Sequence, residues 1–340
     1  MEGEAALGDR ILTPQRMGGL ADQLDEAIRT MRDWGIRVTP DSRLPKIVRC
    51  LHELVSEESF PESRSQRTLI AQAARDAQEF AEISWVLPSE ELKPLRESLR
   101  KAVFGTLGQA GEPYRYQSEL WTGAMLARSG ALTRVRKASA GKTPDFILEN
   151  GTMQYAVEVK RPANLLRALE RVSEAATQLR HDRYHGGAII VDLTDSLGSE
   201  YRDLSGRGRP NMDHVEAKVE ELTDPLRKKV FDDSSSRIRG RYRHVFALVT
   251  FIRTVWWDLD DLSQMHPLRY VLSIRFGHGV KDLRYWRADW LAGLIEKGIR
   301  ETGQSGVGRA RDRVRQMSSP LVGSPSPTRF SSPSRNPSSE

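Results

Sequence analysis

Apolar positions in the first hundred residues recur at the spacing of helices. The clearest run consists of Leu20, Leu24, Ile28, Met31 and Trp34, which fall on one helix face. The same pattern continues over 43–55 and 65–85. Leu87-Pro88 breaks it, and Ser89 directly after this break is typical of the N-cap of a further helix. This part of the chain therefore predicts a helical accessory domain over residues 1–112.

The pattern changes after Gly111, where short apolar runs alternate with amphipathic ones. Helices are predicted over 116–128, 163–184, 212–231 and 290–300. Strands are predicted over 132–137, 145–149, 153–160, 188–193, 244–256 and 268–276. Helices and strands in this order favour an α/β domain over 113–303, with a central mixed sheet flanked by helices and preceded by an all-α region.

Most of the positive charge lies at the C-terminal end of the chain. The formal net charge is +6, and residues 304–340 contain six arginines but only two acidic residues, Asp312 and Glu340. This segment is rich in Ser, Pro and Gly, and it has too few bulky apolar residues to offset the entropy lost on ordering. We predict a disordered tail over 304–340 and a folded body that is close to neutral.

Several classes of protein are excluded by composition. The longest apolar run, 245–252, is too short to span a bilayer, and the first residues lack the basic and apolar regions of a secretory signal. Cys50 is the one cysteine of the sequence, which excludes a disulfide framework and a zinc site built from cysteines. The prediction is a soluble, cytoplasmic protein with no membrane association.

The segment 142–160 carries the most informative pattern. Asn150-Gly151 lies between two β-like runs, which is a strong indication of a hairpin with a two-residue type I′ turn. That turn places Glu149 opposite Thr152 and Asp145 opposite Ala156. One face of the hairpin is then uniformly apolar and consists of Phe146, Leu148, Met153, Tyr155, Val157 and Val159.

The other face of the hairpin brings charged residues together. Asp145 and Glu158 become diagonal neighbours on adjacent strands, with Cβ atoms roughly 7–8 Å apart. Two carboxylates at that separation can share a divalent cation, and the absence of Cys and His nearby favours Mg²⁺ or Mn²⁺ over zinc. Lys160 lies on the same face, where an ammonium can hold an attacking water or stabilise a phosphoryl oxygen. The alternative is an amphipathic hairpin whose charged face is solvated.

This arrangement resembles the PD-(D/E)xK nuclease superfamily, which has the restriction-endonuclease-like fold. Pro144-Asp145 matches the first half of the motif, and Glu158-Val159-Lys160 matches the second. The resemblance implies that Asp145 and Glu158 bind Mg²⁺ or Mn²⁺ and that Val159 offers its backbone carbonyl to the metal. It also implies that Lys160 positions the hydrolytic water.

The resemblance covers residues 113–195, because it extends to a Glu on the preceding helix and to the order of the predicted helices and strands. Members of the family often add a Glu from the helix before the core strands, and Glu119 is the natural match. An ordinary surface carboxylate is the alternative interpretation of Glu119. The predicted order of helix, three strands, helix and strand is also similar to the family core.

Two groups of arginines are candidate contacts for nucleic acid. Arg207-Gly208-Arg209-Pro210 resembles the core of an AT-hook, which lays arginines along the minor groove. Arg237, Arg239 and Arg241 alternate ahead of a strand, so on an extended chain they share one face and can follow phosphates. The alternatives are a mobile surface loop for the first group and a solvated edge for the second.

The function predicted from these patterns is that of a metal-dependent nuclease that hydrolyses phosphodiester bonds, with DNA as the expected substrate. The helical region at the N-terminus is then expected to select the substrate or a protein partner. The alternative is a non-catalytic module that keeps the nuclease-like fold and binds nucleic acid or another protein.

Overall fold

The structure is a computed structural model of the chain. It describes residues 4–7, 11–86, 89–105, 107, 111–129, 133–134, 144–180, 184–196, 204–208, 242–276 and 283–301, together with single positions between 217 and 228. The helices are α1 (Pro14–Asp33), α2 (Arg43–Glu53), α3 (Arg64–Val86), α4 (Ser89–Val103), α5 (Glu112–Arg128), α6 (Leu165–Gln178) and α7 (Leu283–Glu301). The strands are β1 (Glu4–Leu7), β2 (Thr133–Arg134), β3 (Phe146–Asn150), β4 (Met153–Lys160), β5 (Gly187–Asp192), β6 (Leu204–Gly206), β7 (Val245–Asp258) and β8 (Met265–Arg275).

Within the described residues the strands form one mixed sheet, in the order β1-β8-β7-β5-β4-β3-β2, with β6 paired to β7. The pairs β4–β5, β5–β7 and β6–β7 are parallel, and the other pairs are antiparallel. The parallel pair β4–β5 needs a crossover connection, which α6 supplies. The predicted α/β class with a mixed sheet and an N-terminal helical region is confirmed, and β1 adds one short strand ahead of that region.

Both faces of the sheet are covered by helices. One face carries a hydrophobic cluster that includes Met17 of α1, Leu51 of α2, Phe80 of α3, Phe251 of β7 and Leu291 of α7. The other face carries a second cluster, to which α6 contributes Ala168, Val172, Ala175 and Ala176. The N-terminal helices thus share one core with the sheet. The division of the chain into three regions stays a prediction, and residues 304–340 lie outside the described residues.

The side-chain sequence of α6 explains why it covers the sheet. Its four buried residues recur at spacings of three and four, which places them on one helix face. Asn164 caps the helix, since its side chain accepts a hydrogen bond from the backbone N–H of Arg167 at 2.9 Å. The predicted helix over 163–184 is too long at its C-terminal end, because α6 ends at Gln178.

The β3–β4 hairpin has a different register from the predicted one. Asn150 pairs with Met153 and Phe146 pairs with Val157, so the turn residues are Gly151 and Thr152. Gly151 has φ of 60°, a left-handed conformation that a glycine adopts without strain. The shift between predicted and observed pairing is even, so every side chain keeps its predicted face.

The apolar face of the hairpin is as predicted. Phe146, Leu148, Tyr155, Val157 and Val159 belong to the first cluster, and Met153 packs against it. On the opposite face Ile147 and Ala156 belong to the second cluster, beneath α6. The charged residues of that face therefore lie beside a packed helix.

Candidate active site

Glu158 is a buried carboxylate in the middle of the sheet. It lies on β4 opposite Ile189 of the parallel strand β5, and 1% of its surface is exposed. The Nζ of Lys160 donates a hydrogen bond to Glu158 Oε2 at 2.7 Å, whereas Glu158 Oε1 has no hydrogen-bond partner. A buried carboxylate oxygen without a partner is costly. The carboxylate is therefore only half satisfied by the protein.

Burial raises the pKa of Glu158 from its ordinary value of 4.5 to about 8. This value already includes the negative charges of Asp145 and Glu119, which also raise the pKa, and the nearby ammonium of Lys160, which lowers it. A carboxyl group with such a pKa holds its proton at neutral pH. Ionising it at neutral pH requires more positive charge than Lys160 alone provides.

Asp145 lies at the start of the hairpin, immediately before β3. Its half-buried side chain accepts a hydrogen bond through Oδ2 from the backbone N–H of Val159 at 2.7 Å. The observed pairing of Phe146 with Val157 brings Asp145 alongside Glu158, where the predicted register placed the two residues diagonally. The bond to the Val159 N–H fixes the orientation of this carboxylate at the end of β4.

Glu119 lies on α5. Its side chain is half-buried, and its charge acts on Glu158 through space. The structure thus brings together Asp145, Glu158 and Lys160, and it places Glu119 near enough for its charge to act on Glu158. The Lys160 side chain is only 16% exposed, so a fully solvated charged face does not describe this hairpin.

The carboxylate oxygens of this site suit a hard cation such as Mg²⁺ or Mn²⁺. Glu158 Oε1 is buried without a partner, and carboxylate oxygens are the ligands that Mg²⁺ and Mn²⁺ prefer. Among the residues that the structure describes, no group of three or more His, Cys, Asp and Glu side chains is arranged to hold a metal ion. Asp145 and Glu158 would therefore supply only part of the coordination shell of such a cation, and water would supply much of the rest, as is usual for Mg²⁺.

A buried ionic network next to this site was missed by the sequence analysis. Its centre is Asp192, the last residue of β5. Asp192 Oδ2 accepts hydrogen bonds from Arg253 at 2.6 Å and from Ser118 Oγ at 2.9 Å, and Arg161 NH1 lies 3.4 Å from it. Burial by itself raises the pKa of Asp192, but Arg253 and Arg161 hold it below its ordinary value. Asp192 is therefore ionised throughout the range in which Glu158 titrates.

The sequence does contain a weak indication of this network. Asp192 ends the apolar run of β5, and Arg253 interrupts the long apolar run of β7. Charged residues at such positions are almost never buried unless they are paired. Their partners lie far away along the chain, so the residues with which they pair could not be named from periodicity.

A cavity opens on the other side of this network, between α3 and the strands β7 and β8. Its lining includes Glu79, Trp121, Asp195 and Arg253. Glu79 Oε1 pairs with Arg253, and Glu79 Oε2 accepts from Gln117 at 2.8 Å. Since its carboxylates are bound by neighbouring side chains, the cavity adds no second carboxylate pair comparable to Asp145 and Glu158.

The arginines predicted to contact nucleic acid are only partly described. Arg207 is exposed and lies 3.7 Å from Asp260, an ion pair of little energetic weight at this exposure. The next residue is anchored, because the Gly208 N–H donates to Asp258 and its carbonyl accepts from Trp256 Nε1. Contact of Arg207 with DNA stays a prediction. The other predicted contacts, Arg209, Arg237, Arg239 and Arg241, lie outside the described residues.

Two further findings bear on the class of protein. Within the described part of the chain, no helix combines the length and the apolar character needed to cross a membrane. Comparison of the chain with family models, curated proteins and solved structures finds no match.

Proposed function

We propose that this chain is a metal-dependent nuclease that hydrolyses phosphodiester bonds of DNA and has a restriction-endonuclease-like core. The observation that carries the proposal is the half-satisfied Glu158 carboxylate, with Lys160 on one oxygen and Asp145 alongside. Supporting evidence comes from the order α5, β2, β3, β4, α6 and β5, with the antiparallel hairpin followed by a parallel strand. This is the order that the resemblance to PD-(D/E)xK nucleases implies.

Asp145, Glu158 and the backbone carbonyl of Val159 would hold Mg²⁺ or Mn²⁺, with Glu119 assisting. The bound cation would polarise the phosphate and lower the pKa of a coordinated water. The proposed role of Lys160 follows from the N–H groups of its ammonium. An ammonium has three N–H groups, and Glu158 takes one of them, so others are available to an attacking water or a phosphoryl oxygen.

The electrostatics of the site link metal binding to ionisation. Because burial, Asp145 and Glu119 keep Glu158 protonated at neutral pH, a divalent cation has to displace that proton. The ionised Glu158 would bind the cation and would still accept the hydrogen bond from Lys160. In that position Lys160 would keep its remaining N–H donors for a water or a phosphoryl oxygen.

A second candidate function is a non-catalytic module that binds nucleic acid or a protein. It is favoured by the absence, among the described residues, of three acidic or histidine side chains arranged around one point. Such a module would bind DNA with a strong dependence on salt and no dependence on metal. The two functions thus differ in a measurable property.

Cleavage of supercoiled and linear DNA in Mg²⁺ tests the proposal. We expect cleavage by the full chain, inhibition by EDTA and a loss of at least about a hundredfold in Asp145→Asn or Lys160→Met. Glu149→Gln is the matched control, because it removes a half-buried carboxylate at the other end of the same hairpin. Cleavage that survives Asp145→Asn would refute the assignment, and salt-sensitive binding without cleavage would favour the second candidate.

A further inference from the structure

Two buried side chains join α5 to the ends of β4 and β5. Arg161 directly follows β4, and its NH1 donates to the backbone carbonyl of Tyr114 at 3.2 Å. Asp192 ends β5 and accepts a hydrogen bond from Ser118 Oγ at 2.9 Å. Tyr114 and Ser118 are one helical turn apart on α5. The helix is therefore held at two points on one side.

The two attachment points are themselves connected and rigid. Arg161 NH1 lies 3.4 Å from Asp192 Oδ2, and the two side chains are 2% and 0% exposed. Arg161 Nε also donates to Asp195 at 2.8 Å, and the Thr194 N–H donates to Asp192 Oδ1 at 3.0 Å. Charged hydrogen bonds in a buried network are strong and fix the positions of their members.

The position of this network along the chain links it to the candidate active site. Ser118 is followed by Glu119, and Arg161 is preceded by Lys160. Glu158 lies one pleat before Lys160 on the same face of β4. The bonds of Arg161 and Asp192 therefore join the helix that carries Glu119 to the end of the strand that carries Glu158.

We propose that Ser118, Arg161 and Asp192, which we call the α5 clamp, are positioning residues that hold Glu119 of α5 against Glu158 and Lys160 of β4. The inference rests on the proposed function, because it assigns the clamp the task of preparing a site for a divalent cation. Residues that orient metal ligands typically contribute about 10- to 100-fold to metal affinity or activity.

A neighbouring hydroxyl on α5 offers a comparison for Ser118. Thr122 lies one turn further along the same helix and is fully buried, yet its Oγ1 has no hydrogen-bond partner. Packing of α5 thus does not require each buried hydroxyl to be bonded. Thr122→Val therefore removes a buried hydroxyl from the same helix without breaking a hydrogen bond, which makes it a matched control for Ser118→Ala.

The test compares Ser118→Ala with Thr122→Val in the full chain. We expect Ser118→Ala to weaken Mn²⁺ binding by about tenfold or more and to lower kcat for DNA cleavage, with KM for DNA unchanged. Ser118→Thr, which keeps the hydroxyl, should restore both values, and Thr122→Val should match the wild type. Arg161→Lys, which keeps the charge but loses the planar fork, is expected to behave as Ser118→Ala does.

Two outcomes would overturn the inference, and they differ from failure of the proposed function. If Ser118→Ala binds Mn²⁺ and turns over as Thr122→Val does, the clamp has no positioning role. If the wild type neither binds Mn²⁺ nor cleaves DNA, the proposed function fails, and metal-free crystal structures decide on the clamp. We then expect the Glu119–Glu158 carboxylate separation to change by about 1 Å in Ser118→Ala, a displacement that matters in catalysis. An unchanged separation would refute the clamp.

Discussion

Replacing Lys160 by Met in the metal-free protein should produce a loss of stability that depends on pH. Lys160 provides the hydrogen bond to Glu158 Oε2 and the positive charge that partly offsets the burial of this carboxyl. Met has a similar length and no charge. The substitution therefore removes the ammonium and leaves the packing around β4 largely in place.

The expected magnitude follows from the pKa of Glu158. The folded-state value of about 8 exceeds the ordinary value of 4.5, so the wild type loses stability as pH rises from 4.5 to about 8. Over this range Glu158 is protonated with or without Lys160, and the variant loses only about 1 kcal/mol for one hydrogen bond. Above pH 8 the wild type is ionised, whereas the variant has a still higher pKa and continues to lose about 1.4 kcal/mol per pH unit. At about pH 9.5 the variant has therefore lost about 2 kcal/mol more of its free energy of unfolding than the wild type, in addition to the cost of the hydrogen bond.

Urea denaturation in EDTA at about pH 6 and about pH 9.5 measures this difference. The background variant Glu158→Gln is the control, because adding Lys160→Met to it should cost the same at both pH values. A loss of stability in Lys160→Met that is equal at both pH values would contradict this coupling between Lys160 and Glu158. It would mean that Glu158 does not titrate in this range or that Lys160 does not act on it.

Three further outcomes are expected. Arg253→Met should lower the free energy of unfolding in urea by about 3–5 kcal/mol, because it removes the one arginine that pairs with both Glu79 and Asp192. A loss below about 1 kcal/mol would contradict the buried network. In thermal melts, Gly123→Ala should lower the stability by about 1–3 kcal/mol, since the added Cβ would lie 2.8 Å from the ring of Phe146. Gly293→Ala in α7, where the added Cβ meets open space, should be neutral or stabilising. Equal effects of these two substitutions would show that α5 is not packed closely on β3. The affinity for Mn²⁺ should rise as pH increases from about 6 to about 8, because Glu158 must lose its proton to bind the cation, and a flat pH profile in calorimetric titrations would oppose this.

Local patterns in the sequence were sufficient for much of the fold. The strand over 153–160 was predicted with the bounds that β4 has, because strict alternation and a turn signal delimit it. The predicted register of the hairpin differs from the observed one by two residues, since Gly151 can supply a positive φ at either central position of a two-residue turn. The four-residue strand β1 was not predicted, because so short a segment shows no periodicity and depends on its pairing with β8.

The candidate site divides in the same way. Asp145, Glu158 and Lys160 belong to one hairpin, so alternation alone places them on one face. The burial of Glu158 was not predictable, because it depends on how α6 packs on the sheet. The bond between Ser118 and Asp192 joins residues 74 positions apart, and no local pattern indicates such a pair.

The most direct test of the account is calorimetric titration of the full chain with Mn²⁺ at about pH 8, for the wild type and Glu158→Gln. We expect one ion bound per wild-type chain and a loss of binding of about a hundredfold or more in Glu158→Gln, which keeps the shape of the side chain but cannot ionise. Binding of equal strength in Glu158→Gln, or no binding by the wild type, would contradict the claim that this buried carboxylate is the centre of a metal-dependent active site.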